Sequence, residues 1–270
     1  MDTLLNTAIE AARNAGALLK EGFRSQFSVS SKTQYHDLVT EYDLRAEAII
    51  MEHIRATFPM HAILTEESGH HETNSDITWV IDPLDGTVNF AHGIPLFCIS
   101  IAAISNNEIL VGVIYSPMTD ELFTAEQGKG AYCNGNPIKV TDITTLTKSF
   151  LVTGFPYSVS DNPGHCIEHF SHLVSMGIPV RRLGSAALDL AYVASGRFDG
   201  FWEVLLQLWD MAAGSLIVRE AGGIVIDYHG KQLNMKASSS IIAGNSILAH
   251  EILIELQKVD HVYQSGEFHE

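Results

Sequence analysis

Cysteine is scarce in this 270-residue chain: there are three, Cys98, Cys133 and Cys166, widely spaced and without a Cys-x-x-Cys pair. An odd set of that kind excludes a disulfide framework and reads as reduced thiols. Long apolar runs are lacking too, and none approaches the roughly 20 residues that cross a bilayer. Residues 1–23 alternate apolar and polar positions at helical spacing, with Arg13 and Lys20 among them, which is not the pattern of a secretory signal. A cytoplasmic protein without a membrane partner is expected. Basic residues are few, 16 Lys and Arg against 32 Asp and Glu, for a formal net charge of −16. That balance disfavours a nucleic-acid partner and repels any phosphorylated ligand unless cations are supplied locally. No internal repeat, low-complexity block or long linker is present. With 46% hydrophobic and 18% charged residues, the chain reads as a single domain over 1–270, with halves at 1–148 and 149–260.

Leu5, Ala8, Ile9, Ala12, Ala15, Gly16 and Leu19 recur at spacings of three and four, predicting a core-packing helix over 4–21. A polar strand-like link, 27–35, leads to a second helix, 43–57, which Phe58-Pro59 stops. Short apolar runs at 62–64, 78–81, 97–103 and 109–115 are broken by Asn106-Asn107 and Ser116-Pro117, as in a largely antiparallel sheet with hairpin turns. Beyond Phe150 strands and helices alternate. Helices are predicted over 166–176, 185–194, 210–221 and 247–256, with strands over 150–153, 179–182, 224–226 and 240–243. Gly222-Gly223 is a natural helix stop, and the polar tail after Asp260 is expected to fray. Mixed α/β is the fold class these patterns support.

The most informative stretch is Trp79-Val-Ile-Asp82-Pro-Leu-Asp85-Gly86-Thr87-Val-Asn-Phe90. Residues 77–81 predict a buried strand whose hydrogen-bond ladder Pro83 should end, because it has no N–H to donate. Asp82 and Asp85 then sit just past a strand's carboxyl end, where layered α/β proteins collect ligands. Gly86 would let the backbone approach a phosphate, and Thr87 would supply an oxygen. Asp-Gly alone is most simply a turn, whereas Asp82, Asp85 and Thr87 together read as a metal-bound phosphate site. Carboxylates stand at three further element ends: Asp43 after Asp37-Leu-Val-Thr-Glu-Tyr, Glu66-Glu67, and Asp210 in Leu208-Trp209-Asp210-Met-Ala-Ala-Gly214. Singly, Asp210 is a helix N-cap, Glu66-Glu67 a solvated loop and Asp43 a first-turn acid. Their joint pattern is what points to chemistry.

In Asp82-Pro-Leu-Asp85-Gly86-Thr87 and Trp209-Asp210-Met-Ala-Ala-Gly214, with Leu64-Thr-Glu66-Glu67-Ser68 and Asp37-Leu-Val-Thr-Glu-Tyr-Asp43 in order, the chain resembles the inositol monophosphatase family of magnesium-dependent, lithium-sensitive phosphatases. The likeness runs over about residues 20–256. It implies a layered αβαβα sandwich of the inositol monophosphatase/fructose-1,6-bisphosphatase type, assembled as a homodimer, with Mg²⁺ as cofactor. It implies Glu66, Asp82 and the Leu84 carbonyl as ligands of one ion, Asp82, Asp85 and Asp210 as ligands of a second, and a third ion held loosely by Glu66 through water. Converging carboxylates cannot all stay ionised without cations between them, and oxygen donors with no His or Cys in the motifs favour Mg²⁺ over Zn²⁺. His70-His71 reads as a solvated loop near the mouth.

The reaction implied is hydrolysis of a small-molecule phosphate monoester, with Thr87, Asp43 and Glu66 orienting and deprotonating the attacking water and the amides of Gly86 and Thr87 donating to the phosphate. Lys32 matches a basic position near the site, with an ordinary surface lysine as the even alternative. By the same resemblance Gly184, Ser185 and Ala186 start a helix facing the leaving alcohol. Glu203 accepts from sugar or cyclitol hydroxyls, as do Asp85 and Asp210. Asn89-Phe90 resembles the inositol phosphatase branch rather than the Lys-Glu-Phe of the branch acting on 3′-phosphoadenosine nucleotides. Leu205 departs from the glycine often found two residues after the glutamate in members with firm inositol preference. Inositol 1-phosphate is the expected substrate; fructose 1,6-bisphosphate, histidinol phosphate and a nucleotide phosphate are alternatives within the same chemistry. A binding or regulatory protein that keeps the fold without turnover is the alternative of a different class.

Overall fold

The computed structural model describes residues 2–32, 37–235 and 237–265. In chain order the elements are α1 (Asp2–Gly22), β1 (Val29–Ser31), β2 (Leu38–Thr40), α2 (Glu41–Thr57), β3 (Ala62–Thr65), β4 (Gly69–His71), β5 (Ile77–Asp85), α3 (Thr87–Ala91), β6 (Cys98–Ser105), β7 (Glu108–Ser116) and β8 (Glu121–Glu126). They continue as β9 (Ala131–Cys133), β10 (Asn136–Pro137), β11 (Leu151–Thr153), α4 (Cys166–Ser175), β12 (Val180–Arg181), α5 (Ala186–Ala194), β13 (Gly200–Leu206), α6 (Leu208–Glu220), β14 (Ile224–Ile226), β15 (Ser239–Gly244) and α7 (Ser246–Ser265).

An eight-stranded sheet, in the order β10-β9-β8-β7-β6-β5-β3-β4, is antiparallel except where β3 runs beside β5. A five-stranded sheet follows, in the order β12-β11-β13-β15-β14. Because successive strand residues point to opposite faces, each sheet feeds two cores. Trp79, Ile81 and Ile99 pack under α1 and α2 with Ala12, Leu19 and Ile50. Val80, Ala102 and Ile114, from the other face, join Leu190 of α5, Ala213 and Ile217 of α6, and Phe201 and Ala243 of the second sheet. Trp202 and Ile242 turn the opposite way, onto Leu173 of α4 and Ile252 of α7. The result is five layers, αβαβα, with α5 and α6 shared by both sheets. Helix and sheet touch backbone to backbone at Gly112, where an added Cβ would lie 2.8 Å from the Ala213 carbonyl oxygen and 3.1 Å from its Cα.

Several elements differ from the sequence expectation. Pro83 does not end its ladder: β5 continues to Asp85, which pairs with Cys98, after Pro83 and Leu84 bulge out opposite the single residue Ile99. A bulge is where a strand tolerates a residue with no N–H. Helix α6 starts at Leu208, so Asp210 is its third residue and Gln207 the cap. His70 and His71 belong to β4, paired with β3, rather than to a loop. The last helix runs to Ser265, where the Tyr263 ring stacks on His165 at 4.8 Å; residues 266–270 of the expected tail lie outside the described residues, as does Tyr35 at the end of the predicted link. Asn106 and Asn107 both adopt positive φ, 50° and 69°, the two-residue turn expected between β6 and β7. The three cysteines are free, and among the described residues no helix is long and apolar enough to cross a membrane.

Candidate active site

A cleft of about 830 Å³ is lined by Glu66, Asp82, Leu84, Asp85, Gly86, Thr87, Gly184, Ser185, Ala186, Glu203 and Asp210, all singled out in the sequence, together with Lys32. Asp43 stands behind Thr87, fully buried. The β5 bulge shapes this floor. Asp82 Oδ1 accepts from the Leu84 amide at 2.9 Å, closing the turn, and Gly86 takes φ 98° with its Cα against the Leu96 carbonyl, where an added Cβ would lie 2.9 Å from that oxygen. Only glycine meets both demands.

Asp43 is locked on both sides. Its Oδ2 accepts from the Thr40 amide at 2.8 Å and the Thr40 hydroxyl at 2.6 Å, capping α2, and its Oδ1 accepts from Thr87 Oγ1 at 2.9 Å. Burial pushes this carboxyl up, while the bonds from Thr40 and Thr87 hold it down against that shift. The single hydroxyl proton of Thr87 is shared between Asp43 and the Leu84 carbonyl, 3.0 Å away. Toward the cleft the Thr87 oxygen therefore has only lone pairs to offer.

Asp85 ties the first sheet to the middle helix layer. Its Oδ2 accepts from Ser185 Oγ at 2.8 Å and from the Ala187 amide at 2.7 Å, fastening β5 to the start of α5. Asp210 Oδ2 accepts from the Gln207 amide at 2.7 Å, so the capping arrangement and the cleft use one side chain. Burial raises Asp82 and Asp210 well above the ordinary carboxylate range, and the negative charges of their neighbours add to it; burial lifts Asp85 to about 6. Glu203 is 7% exposed and is pushed up to about 8 by burial and then by Asp85. Gly154 lies directly against its carboxylate, leaving no room there for a Cβ. Lys32 is no ordinary surface residue: its Nζ donates to Glu66 at 2.7 Å and to Glu67 at 2.5 Å. Burial opposes its charge, yet the two glutamates outweigh it and raise the amine.

Sequence reasoning missed Asp189, Arg182 and Tyr157, which also line the cleft. Asp189 is 1% exposed, and neither of its carboxylate oxygens has a hydrogen-bond partner. Its only sequence signal is an acid inside the apolar run Ala186-Ala187-Leu188-Asp189-Leu190-Ala191.

As the side chains are placed, no three His, Cys, Asp or Glu residues among those described close around one point, because Glu66 turns to Lys32 and Asp85 to α5. The donor chemistry nevertheless fits a hard cation. Asp82, Asp85 and Asp210 offer oxygen alone, and each is strained by burial and by like charge from the same cleft, which a bound cation would relieve.

A family model described as the inositol monophosphatase family matches residues 1–261. Nus factor SuhB of Escherichia coli (strain K12) is 44% identical over 259 residues, covering 95% of this chain and 97% of that protein. Inositol-1-monophosphatase of Mesorhizobium japonicum is 42% identical over 258 residues, covering 94% and 96%. Among solved structures, extragenic suppressor protein suhB from Bartonella henselae superposes with a TM-score of 0.90 at 41% identity, over 95% of this chain and 99% of that one. Inositol monophosphatase from Anabaena (Nostoc) sp. PCC 7120 superposes with a TM-score of 0.83 at 42% identity, over 95% and 96%.

Proposed function

The chain belongs to the inositol monophosphatase family, a family of metal-dependent phosphatases, and from that premise we propose that it hydrolyses inositol 1-phosphate to inositol and phosphate with Mg²⁺ as its cofactor. The observation that carries the reading is the buried Thr87–Asp43 hydrogen bond at the edge of a carboxylate-lined cleft. A scaffold has no use for a hydroxyl whose proton is tied away so that its lone pairs face a ligand.

Glu66, Asp82 and the Leu84 carbonyl would hold one cation, and Asp82, Asp85 and Asp210 a second. Once bound they offset the charge of the phosphate and make water easier to ionise near neutral pH. Thr87 Oγ1 accepts one O–H of the attacking water and so orients it, and Glu66 supplies a second acceptor. The amides of Gly86 and Thr87 donate to the phosphate oxygens. Lys32 gives the cleft a positive charge that the chain as a whole, at −16, does not provide. Glu203, with Asp85 and Asp210, takes the hydroxyls of the leaving alcohol beside the start of α5. A cytoplasmic, lithium-sensitive homodimer goes with this reading.

Phosphate release from inositol 1-phosphate, fructose 1,6-bisphosphate, histidinol phosphate and a 3′-phosphoadenosine nucleotide, with Mg²⁺ and with chelator, tests it. Chelator-sensitive release fastest on inositol 1-phosphate is expected; faster release on another ester moves the substrate and keeps the chemistry. The name Nus factor SuhB on some relatives favours a second reading, a regulatory protein that binds a partner and keeps the fold. Absence of release on every ester would leave that one standing.

A further inference from the structure

The rim of the cleft beyond Glu203 has a different chemistry from its floor. In β13, Val204 and Leu205 bulge opposite the single residue Ser240, between the Glu203–Ile241 and Leu206–Ser239 pairs. At this bulge Leu205 takes φ 58°, the left-handed region that glycine enters freely and a branched side chain enters at a cost. Core packing does not compensate for that cost. Glu203, Val204 and Leu206 are buried, while Leu205 is 48% exposed and lines the cleft. Tyr157, 49% exposed, lines the same cleft, beside Phe155 and Pro156. Phe155 is braced by Phe170, edge to face at 5.5 Å. A strained backbone that leaves one large apolar side chain lining a ligand cleft, whose wall also carries an exposed aromatic ring, has apolar contact with the ligand as its evident use.

We propose that Leu205 and Tyr157 form an apolar subsite that admits, beside the cyclitol ester, phosphate esters whose alcohol carries an aromatic group. The subsite rests on the reading of the cleft as a phosphate-ester site and extends the substrate class beyond the cyclitol ester. The phosphate end would sit among Asp82, Asp85 and Thr87, with the ring against Leu205 and Tyr157.

The test is calorimetric binding of phenylphosphonate and methylphosphonate, in the presence of Mg²⁺, to the full chain and to L205G and Y157A. These probes are not hydrolysed, so affinity is read without turnover. The full chain should bind the phenyl probe about tenfold more tightly than the methyl probe, and each variant should cut that ratio at least about threefold. L205G places glycine in glycine's own backbone region, so its fold is expected to survive, as thermal melting will show. Equal affinity for the two probes, failure of both to bind, or a ratio unchanged in both variants overturns the subsite. Release of phosphate from the four esters, measured separately, reports on hydrolysis: its absence on all of them alongside an intact phenyl preference would remove the phosphatase reading and keep the apolar subsite.

Discussion

Replacing Asp43 by asparagine removes a charge without changing shape, and the structure dictates where the new amide must point. Two donors, the Thr40 amide at 2.8 Å and the Thr40 hydroxyl at 2.6 Å, converge on Oδ2. The carboxamide oxygen has to take that position, since an NH₂ there would face two donors. The new NH₂ then faces Thr87 Oγ1, at the 2.9 Å separation now occupied by an O–H donating to the aspartate. Thr87 must become an acceptor from the introduced carboxamide, and its own proton goes wholly to the Leu84 carbonyl at 3.0 Å. The Asp43→Asn variant keeps these hydrogen bonds in number, so the stability change should stay within about 2 kcal/mol, the difference between charged and neutral acceptors less the relief of a buried charge. What the water loses is the negative carboxylate behind Thr87: one lone pair of Oγ1 is taken by the carboxamide, and the other faces the cleft with no charge drawing the hydroxyl proton away from it. On the proposed mechanism kcat should fall by about 10²–10⁴ with little change in KM. Steady-state phosphate release and a thermal melt on the same preparation decide it. Activity within about tenfold of the unaltered protein would refute this role of the carboxylate, and so would a loss of activity that merely follows a collapsed melting temperature.

Asp85→Asn retains an oxygen for Ser185 and the Ala187 amide, so the fold should hold while hydrolysis drops at least about 10²-fold and the Mg²⁺-induced rise in melting temperature shrinks; an unchanged Mg²⁺ effect would remove Asp85 from the cation site. Gly112→Ala would push a methyl group into the Ala213 backbone, costing about 1–3 kcal/mol and lowering the melting temperature by roughly 2–8 °C, and a neutral melt would contradict the close approach of β7 and α6. Glu203 titrates in the fold at about 8, above its ordinary 4.5, so the folded state binds the proton more tightly than the unfolded one. That contribution is complete below pH 4.5 and is lost as pH rises through about 8. Chelator-treated Glu203→Gln protein should therefore show a smaller fall in melting temperature between about pH 5.5 and about pH 8.5 than the unaltered chain; an equal fall would show that Glu203 is not the group responsible.

Much of the architecture was legible because it is local. The α1 stripe and the Asn106-Asn107 turn depend on neighbours a few residues away, whereas the order of the five layers came from the resemblance, the patterns themselves giving only mixed α/β and no strand where β13 runs. What the sequence concealed depends on distant partners. Whether Pro83 stops a strand or rides a bulge is set by Cys98 and Ser100 across the ladder. The start of α6 is the local exception: Gln207, a weak capping residue by type, takes the cap position because its amide donates to the Asp210 carboxylate three residues on. Asp189 and Tyr157 carry no motif at all, and only the packing of α5 and of the segment before α4 against the same cleft brings them to it.

The helix pair α5 and α6, shared by both sheets, ties the cleft to the end of the chain. Asp85 is fastened to residues one hundred positions later, and Ser100 Oγ donates to the Trp209 carbonyl, so the cleft is a seam that the last third of the chain sews shut. As the polypeptide emerges in order, Glu66, Asp82 and Asp85 come out long before Asp210 arrives on α6. A chain cut short before α6 would therefore carry Glu66, Asp82 and Asp85 without the wall that Asp210 and α6 supply, and the cleft is complete only when both halves of the sequence are present.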